Sequence, residues 1–527
     1  MNPLFDLGSW LGRMPDSVTR RGFVQRCAAL GLVWTGWPAA RTARSVRFTA
    51  HPFSLGVASG DPLPDGVVLW TRLAPEPSVS GGGMGPEPIE VDWELATDER
   101  FTRIVKRGSS TARAESVHAV HVEVDGLGPD RVYWYRFIAG GEASEAARTR
   151  TAPVAGAQLD ELRFAFASCQ HYEQGYYTAL RHLADEDVRF LAFLGDYIYE
   201  DGAIAGRPRQ HGDHEIRTLD DYRIRYALYK CDADLQAAHA AMPWILTWDD
   251  HEVDNNFAGD HDQAGSPSAE FLLRRAAACQ AYWEHLPMRR AAVPSGPYAQ
   301  MYRRLAFGSL IDLHVLDTRQ YRTDQPCGDG NKERCAEAFD PKATMMGDAQ
   351  ERWLMDGLAG SRARWNVLAN QVPVAQIDNV PGDGASYSMD RWDGYVDARK
   401  RFLSFLEARR PPNPIVLTGD IHSNWVAELK PDFEDPASPT VGVEFITTSI
   451  SSAGDGMDGG NFGERALAAN PHVRFFNGQR GYVRCAVTPA AWTSDYRVVE
   501  YVSRPGAPIR TRASFVVEAG RAGVERA

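Results

Sequence analysis

Between Phe53 and Pro153, several segments place apolar residues at every second position. Ile89 to Leu95, Ala119 to Val124 and Val132 to Phe137 alternate cleanly, and Gly66 to Leu73 is one apolar run. Gly/Pro-rich turns separate these segments, including the stretch from Ser78 to Pro88. Short strands at this spacing predict an N-terminal β-sandwich over residues 50–155. No helix start follows Gly81-Gly82-Gly83, so that run is a loop and not a phosphate cradle.

Past Gln158 the period changes. Leu162 to Ala167, Val188 to Leu194, Trp244 to Trp248, Leu310 to Leu316, Trp365 to Leu368 and Ile415 to Leu417 are apolar enough for covered strands. Helical patterns lie between them at Tyr176 to Asp185, Glu270 to Leu286 and Asp348 to Gly357. The alternation predicts an α/β layered domain over 160–505. Residues 506–527 read as a C-terminal tail that frays.

Composition narrows the class. The 527 residues are 44% hydrophobic and 24% charged, which suits a packed globular chain, and the net charge of -12 gives no basic field for nucleic acid. No apolar run is long enough for an integral membrane segment. Thr19-Arg20-Arg21-Gly22-Phe23 precedes an uncharged stretch from Cys27 to Ala40. Residues 1–43 therefore read as an export signal of the twin-arginine type, with the twin-arginine export machinery as partner and a periplasmic, cell-surface or secreted destination. Cys327 and Cys335 flank a polar, Gly-containing loop and are expected to form a local disulfide in an exported chain.

The candidate chemistry falls just after the apolar strands, where open α/β sheets place ligands. Asp196 follows a strand and a glycine; Asp249, Asp250, His251, Glu252, Asp254, Asn255 and Asn256 follow another strand; Asn370 and the Asp420-x-His422 pair follow two more. Singly, each has an ordinary reading as a turn, a helix cap or a structural histidine. Together they are harder to dismiss, because like charges packed side by side are costly unless a cation neutralises them. Hard carboxylates suit hard cations, and imidazole suits iron or zinc.

The fuller strings carry a resemblance. Gly195-Asp196-x-x-Tyr199, Asp250-His251-Glu252, Asn370 and Gly419-Asp420-x-His422 resemble the calcineurin-like metallophosphoesterase pattern. Leu55 to Pro62, Ala167-Ser168-Cys169-Gln170, Trp248 to Asn256 and Leu316 to Arg322 are similar to the PhoD-type alkaline phosphatases, from about Phe53 to about residue 500. That resemblance implies a β-sandwich ahead of a metallophosphoesterase domain, with iron and calcium as cofactors. It implies iron on Cys169, Tyr199 and His422, with Asp196 bridging to calcium. Asp250 and Asp420 would hold calcium, with Asn370 a further ligand.

For catalysis, His251 is the expected proton donor to the leaving alkoxide, Arg319 the expected grip on phosphate oxygens, and Asn255 a residue that orients the site or touches substrate. The expected reaction is hydrolysis of a phosphate ester by a metal-bound hydroxide. Two alternatives remain: phosphodiesterase or phospholipase-D-type activity within the same family, favoured if tryptophans form an apolar rim, and a secreted calcium-binding protein without catalysis.

Overall fold

The computed structural model describes residues 47–382 and 384–527; the expected export segment at 1–43 lies outside the described residues. Two large sheets form the centre. The first runs in the order Glu525–Arg526, Ile509–Glu518, Ala491–Val499, Gly481–Val487, Leu162–Ala167, Leu191–Phe193, Trp244–Leu246, Val57–Leu63, Gly66–Arg72 and Ala119–Val124. The second runs Arg303–Phe307, Ile311–Val315, Trp365–Ala369, Pro414–Thr418, Gly442–Ile446, Asn424–Leu429 and Val473–Asn477.

Each sheet has a parallel heart. Leu162–Ala167, Leu191–Phe193 and Trp244–Leu246 run parallel in the first, and Ile311–Val315 through Gly442–Ile446 in the second. The hearts face one another: Phe164, Phe166, Leu194 and Ile245 share one core with Leu313, Val367, Leu417 and Phe445. Helices cover both outer faces. Leu180, Tyr226, Leu235 and Phe271 close the first sheet, and Leu354 and Phe402 the second. Strands buried on both faces explain why their sequences are apolar without alternation.

The sandwich forms as the period-two pattern predicts. Val67, Leu69, Val120 and Val122 pack against Val91, Leu95, Tyr135 and Phe137 of the sheet built on Ile89–Ala96, Ile104–Ala112 and Val132–Ala139. One of its sheets, however, continues the first large sheet, through the parallel pairing of Gly60 with Trp244.

Residues 506–527 depart from the expected fraying tail. Ile509–Glu518 pairs along Ala491–Val499 and buries Phe515 and Val517, and Glu525–Arg526 adds a further short strand. The period-two placement of Ala513, Phe515 and Val517 is the physical cause. Helix Leu219–Lys230 was not expected, because its buried stripe is Tyr222, Tyr226 and Tyr229, residues a hydropathy pattern undervalues. Trp70, Trp244, Trp248, Trp365, Trp392, Trp425 and Trp492 are fully buried, so none of them forms an apolar rim for lipid headgroups. Among the described residues no helix is long and apolar enough to cross a membrane.

Candidate metal centre

The loops that leave the parallel strands converge at one end of the two facing sheets. Gly195 sits with φ 110°, and a Cβ there would lie 2.4 Å from the backbone nitrogen of Asp249, so the two loops touch back to back. Gly419 plays the same part between the sheets: its Cβ would lie 2.5 Å from Ser168 Oγ. Cys169, Asp196, Asp420 and His422 all take left-handed backbone, with φ of 61°, 57°, 67° and 51°. Such conformations in side-chain-bearing residues persist only where surrounding contacts enforce them, and they cluster at working sites.

Four donor groups result, each with ligand atoms within 4.8 Å of one another: Cys169 with Asp196 and His422, Asp196 with Asp250 and His251, Asp249 with Asp250 and Asp420, and, toward the rim, Glu200 with Asp201 and His251. Asp196 belongs to the first two. Tyr199 completes the first: its hydroxyl donates to Asp196 Oδ2 at 2.8 Å, lies 3.2 Å from His422 Nε2, and accepts from Ser452 Oγ at 2.7 Å. The Tyr199 ring stands between those of His171 and His251, at 4.3 and 4.2 Å.

The electrostatics are those of a site short of positive charge. Burial pushes Asp196, Asp249, Cys169 and Tyr199 well above their ordinary ranges, and Asp420 up to about 6. Burial, then Arg480, lowers His422 to about 3. For His251 burial opposes the charge, yet Glu200, Asp250 and Asp196 hold its imidazolium well above the usual histidine range. Asp196 Oδ1, Asp249 Oδ2 and Asp250 Oδ1 are buried without a hydrogen-bond partner. Bound cations resolve the buried acids, the thiol and His422: they stabilise carboxylate, thiolate and neutral imidazole, and they fill the orphaned lone pairs. The residues fit metal ions.

The expected residues fare unequally. Cys169, Asp196, Tyr199, Asp250, Asp420 and His422 come together. Asn370 is fully buried at the end of its strand, with its amide donating to Val372 O and its Oδ1 unpartnered. Asn255 stands at the rim, where its amide meets Gln263 and its backbone N–H donates to Glu200. Arg319 differs from expectation: it is fully buried, ion-paired to Asp249 and Asp390, with Nη2 lying 3.5 Å from Asp250 and 3.7 Å from Asp420. It holds the acids in place; the arginine with exposed surface beside Asp420 is Arg391, at 3.5 Å.

Several contributors carry roles that the sequence did not assign to them. Glu252 accepts backbone N–H bonds from Asp196, Tyr197 and Asp249 at 3.1, 2.6 and 2.8 Å. Glu200 pairs with His251 Nδ1 at 2.7 Å. Asp390 binds both Arg319 and Arg322. Glu252 lies in the acidic string after Trp248 and Glu200 directly after Tyr199, so both were readable as candidates; Asp390 follows a two-residue strand and carries no such signal.

Strand ends that gather carboxylates, a thiol and imidazoles into one buried cluster form a site able to hold metal ions of the kind that assist hydrolysis. The chain belongs to the PhoD-like phosphatase family, which matches residues 164–496, with the family's N-terminal domain matching 39–153. It is 48% identical over 522 residues to alkaline phosphatase D of Bacillus subtilis (strain 168), covering 97% of this chain and 89% of that protein. A solved structure of PhoD matches with a TM-score of 0.89 and 49% identity, over 91% of this chain and 93% of that one. The protein is a phosphoester hydrolase, and the reading as a calcium-binding module without catalysis is set aside.

Proposed function

We propose that the centre holds iron on Cys169, Tyr199, His422 and Asp196, and calcium on Asp196, Asp250 and Asp420, with Asn370 as a further calcium ligand. The observation that carries this is the sharing of Asp196 between a donor group with sulfur and nitrogen and a neighbouring group dominated by carboxylate. Soft and borderline donors favour a transition metal, and donors that are mostly carboxylate oxygens favour calcium. Bound there, the cations would supply an acidified water as nucleophile and neutralise charge developing on the phosphate.

The chain's own residues do the rest. His251, kept protonated by Glu200, gives its proton to the leaving alkoxide. Arg319 and Asp390 fix the acids, and Arg391 faces the incoming phosphate oxygens. Asn255 orients the segment after His251. The substrate is a phosphate ester. Residues 50–155 form the sandwich domain and 160–527 the catalytic domain, in keeping with the family matches over 39–153 and 164–496 and with the C-terminal strands of the first sheet. Export follows the twin-arginine route, supported by Arg20-Arg21 ahead of the apolar stretch.

The test is metal analysis and a visible spectrum of the natively folded protein, beside hydrolysis of p-nitrophenyl phosphate and bis-p-nitrophenyl phosphate with and without calcium. Iron with calcium, a tyrosinate-to-iron band and calcium-dependent turnover are expected. A colourless, iron-free protein with full turnover would overturn the iron assignment, and the preferred ester decides monoesterase against diesterase.

A further inference from the structure

Beside the centre lies a loop whose closure is covalent. Cys327 and Cys335 are disulfide-bonded. Within the ring, Cys327, Gly328, Asp329 and Gly330 all have positive φ, of 59°, 71°, 58° and 75°. Four such residues in succession, two of them bearing side chains, make a conformation that an open chain adopts reluctantly. The loop is fixed from outside as well: Met389 N–H donates to Gly330 O at 3.0 Å, and Asn331–Lys332 pairs with Tyr387–Ser388.

What the loop presents is the Asp329 carboxylate. Its Oδ2 accepts from the Asn256 amide at 2.8 Å and from the Gln263 amide at 3.0 Å. Gln263 in turn accepts from the Asn255 amide at 2.7 Å. Both asparagines are thus tied to one carboxylate, and both reach the centre through their backbones. Asn256 N–H donates to Asp250 Oδ2 at 2.8 Å, and Asn255 N–H donates to Glu200 Oε1 at 2.7 Å, on the carboxylate that holds His251. Asn256 also sits at φ 53°, a backbone state that needs outside support.

We infer that Asp329 is a positioning residue of the centre, and that the Cys327–Cys335 bond, by holding Asp329 in place, makes catalytic competence depend on thiol redox state. The inference rests on the metal assignment under the proposed function. With the bond closed, Asp329 aligns Asn256 and, through it, Asp250. With the bond open, the segment Asp250–Asn256 loosens and calcium is held less firmly. A chain still in a reducing compartment is then a weaker hydrolase than the same chain after oxidation.

The test combines reduction with substitution in the metal-loaded enzyme. A water-soluble phosphine cleaves the bond: phosphorus is oxidised to the phosphine oxide with oxygen from water, and the two sulfurs leave as thiols. Reduction is expected to raise the calcium dissociation constant, read by calorimetry, and with it the half-activating calcium concentration, about tenfold, the scale on which groups behind metal ligands act. Asp329→Asn is expected to do the same without reduction. Reduction of Asp329→Asn then adds nothing further, because both changes break one link. Cys327→Ser/Cys335→Ser matches the reduced enzyme and is insensitive to phosphine, which separates bond cleavage from reduction of the metal. Unchanged calcium dependence in Asp329→Asn, or equal losses on reducing it and the parent, overturns the inference. Asp196→Asn is the control: if it stays active, the metal assignment itself has failed.

Discussion

Where strand Gly66–Arg72 meets helix Ser268–His285, Arg72 bonds His285 at 2.7 Å and donates to Val117 O, while Glu284 pairs with Arg223 and its carbonyl accepts from Trp70. Charge is buried at this seam, and these charged groups have partners inside the protein. In the metal cleft charge is buried too, but Asp196, Asp249 and Asp250 each keep an oxygen with no hydrogen-bond partner. The contrast separates scaffold from site. Burial of polar groups is common to both, whereas unmet carboxylate lone pairs mark the place where a cation belongs.

The sharpest way to break that contrast is Asp196→Asn. On the proposed assignment a shared ligand loses its charge while its shape is kept, so kcat/KM should fall by about a thousandfold or more, roughly 4 kcal/mol of transition-state stabilisation. Metal analysis of the same sample should show depleted occupancy. A near-normal rate would mean the orphaned oxygens are not where cations act. His251→Gln comes next, with a loss of about a hundredfold. The loss should grow as the leaving alcohol becomes a poorer leaving group, since only those esters need the proton; an equal loss for p-nitrophenolate and for a simple alkoxide argues against His251 as the acid.

Glu252→Gln should cost less, about tenfold in activity with a similar weakening of metal binding, on the scale of groups that support ligands. The carboxylate collects three N–H donors from two loops. An amide can satisfy them only in part, and its own NH2 faces a donor. Unchanged metal affinity in this variant would show that the two loops hold their places without it.

How far the sequence reached follows the same division. Asp196, Asp250, Asp420 and His422 were legible because each comes just after an apolar strand, and a parallel strand delivers the residues beyond its carboxyl end to one edge of its sheet; Cys169 was legible through the resemblance carried by Ala167-Ser168-Cys169-Gln170. The sandwich was legible because alternation is a local property. Asp390 was not, since it meets Arg319 across 71 residues of chain and leaves a stretch with no periodic pattern. For Arg319 the rim was legible but its ion pairs with Asp249 and Asp390 were not, because sequence shows which end of a strand a side chain leaves from and not which acids surround it. The C-terminal strand Ile509–Glu518 was missed for a simpler reason: its Arg-rich outer face masked the inner alternation of Ala513, Phe515 and Val517.

The smallest effect on activity, and the one that probes the seam, belongs to Lys230. Its ammonium is buried over the Trp70 ring, 4.1 Å from the centroid, with Tyr197 Oη at 3.4 Å, and it forms no ion pair with a carboxylate among the described residues. Burial lowers its pKa from 10.5 to about 7. Between those two values the unfolded chain holds a proton that the folded chain does not, so stability rises with pH across that window. Below about pH 7 both states hold the proton and the folded state carries the full cost of the buried charge. Lys230→Met removes that cost. After allowance for the lost attraction to Trp70, the variant should be more stable by about 2 kcal/mol near pH 7, with the advantage shrinking toward pH 10. Thermal midpoints of both proteins across that range measure it, and kcat/KM should not change. Parallel stability curves would mean that the ammonium stays charged over Trp70 throughout, and that the seam tolerates a lone cation that the cleft balances only with carboxylates.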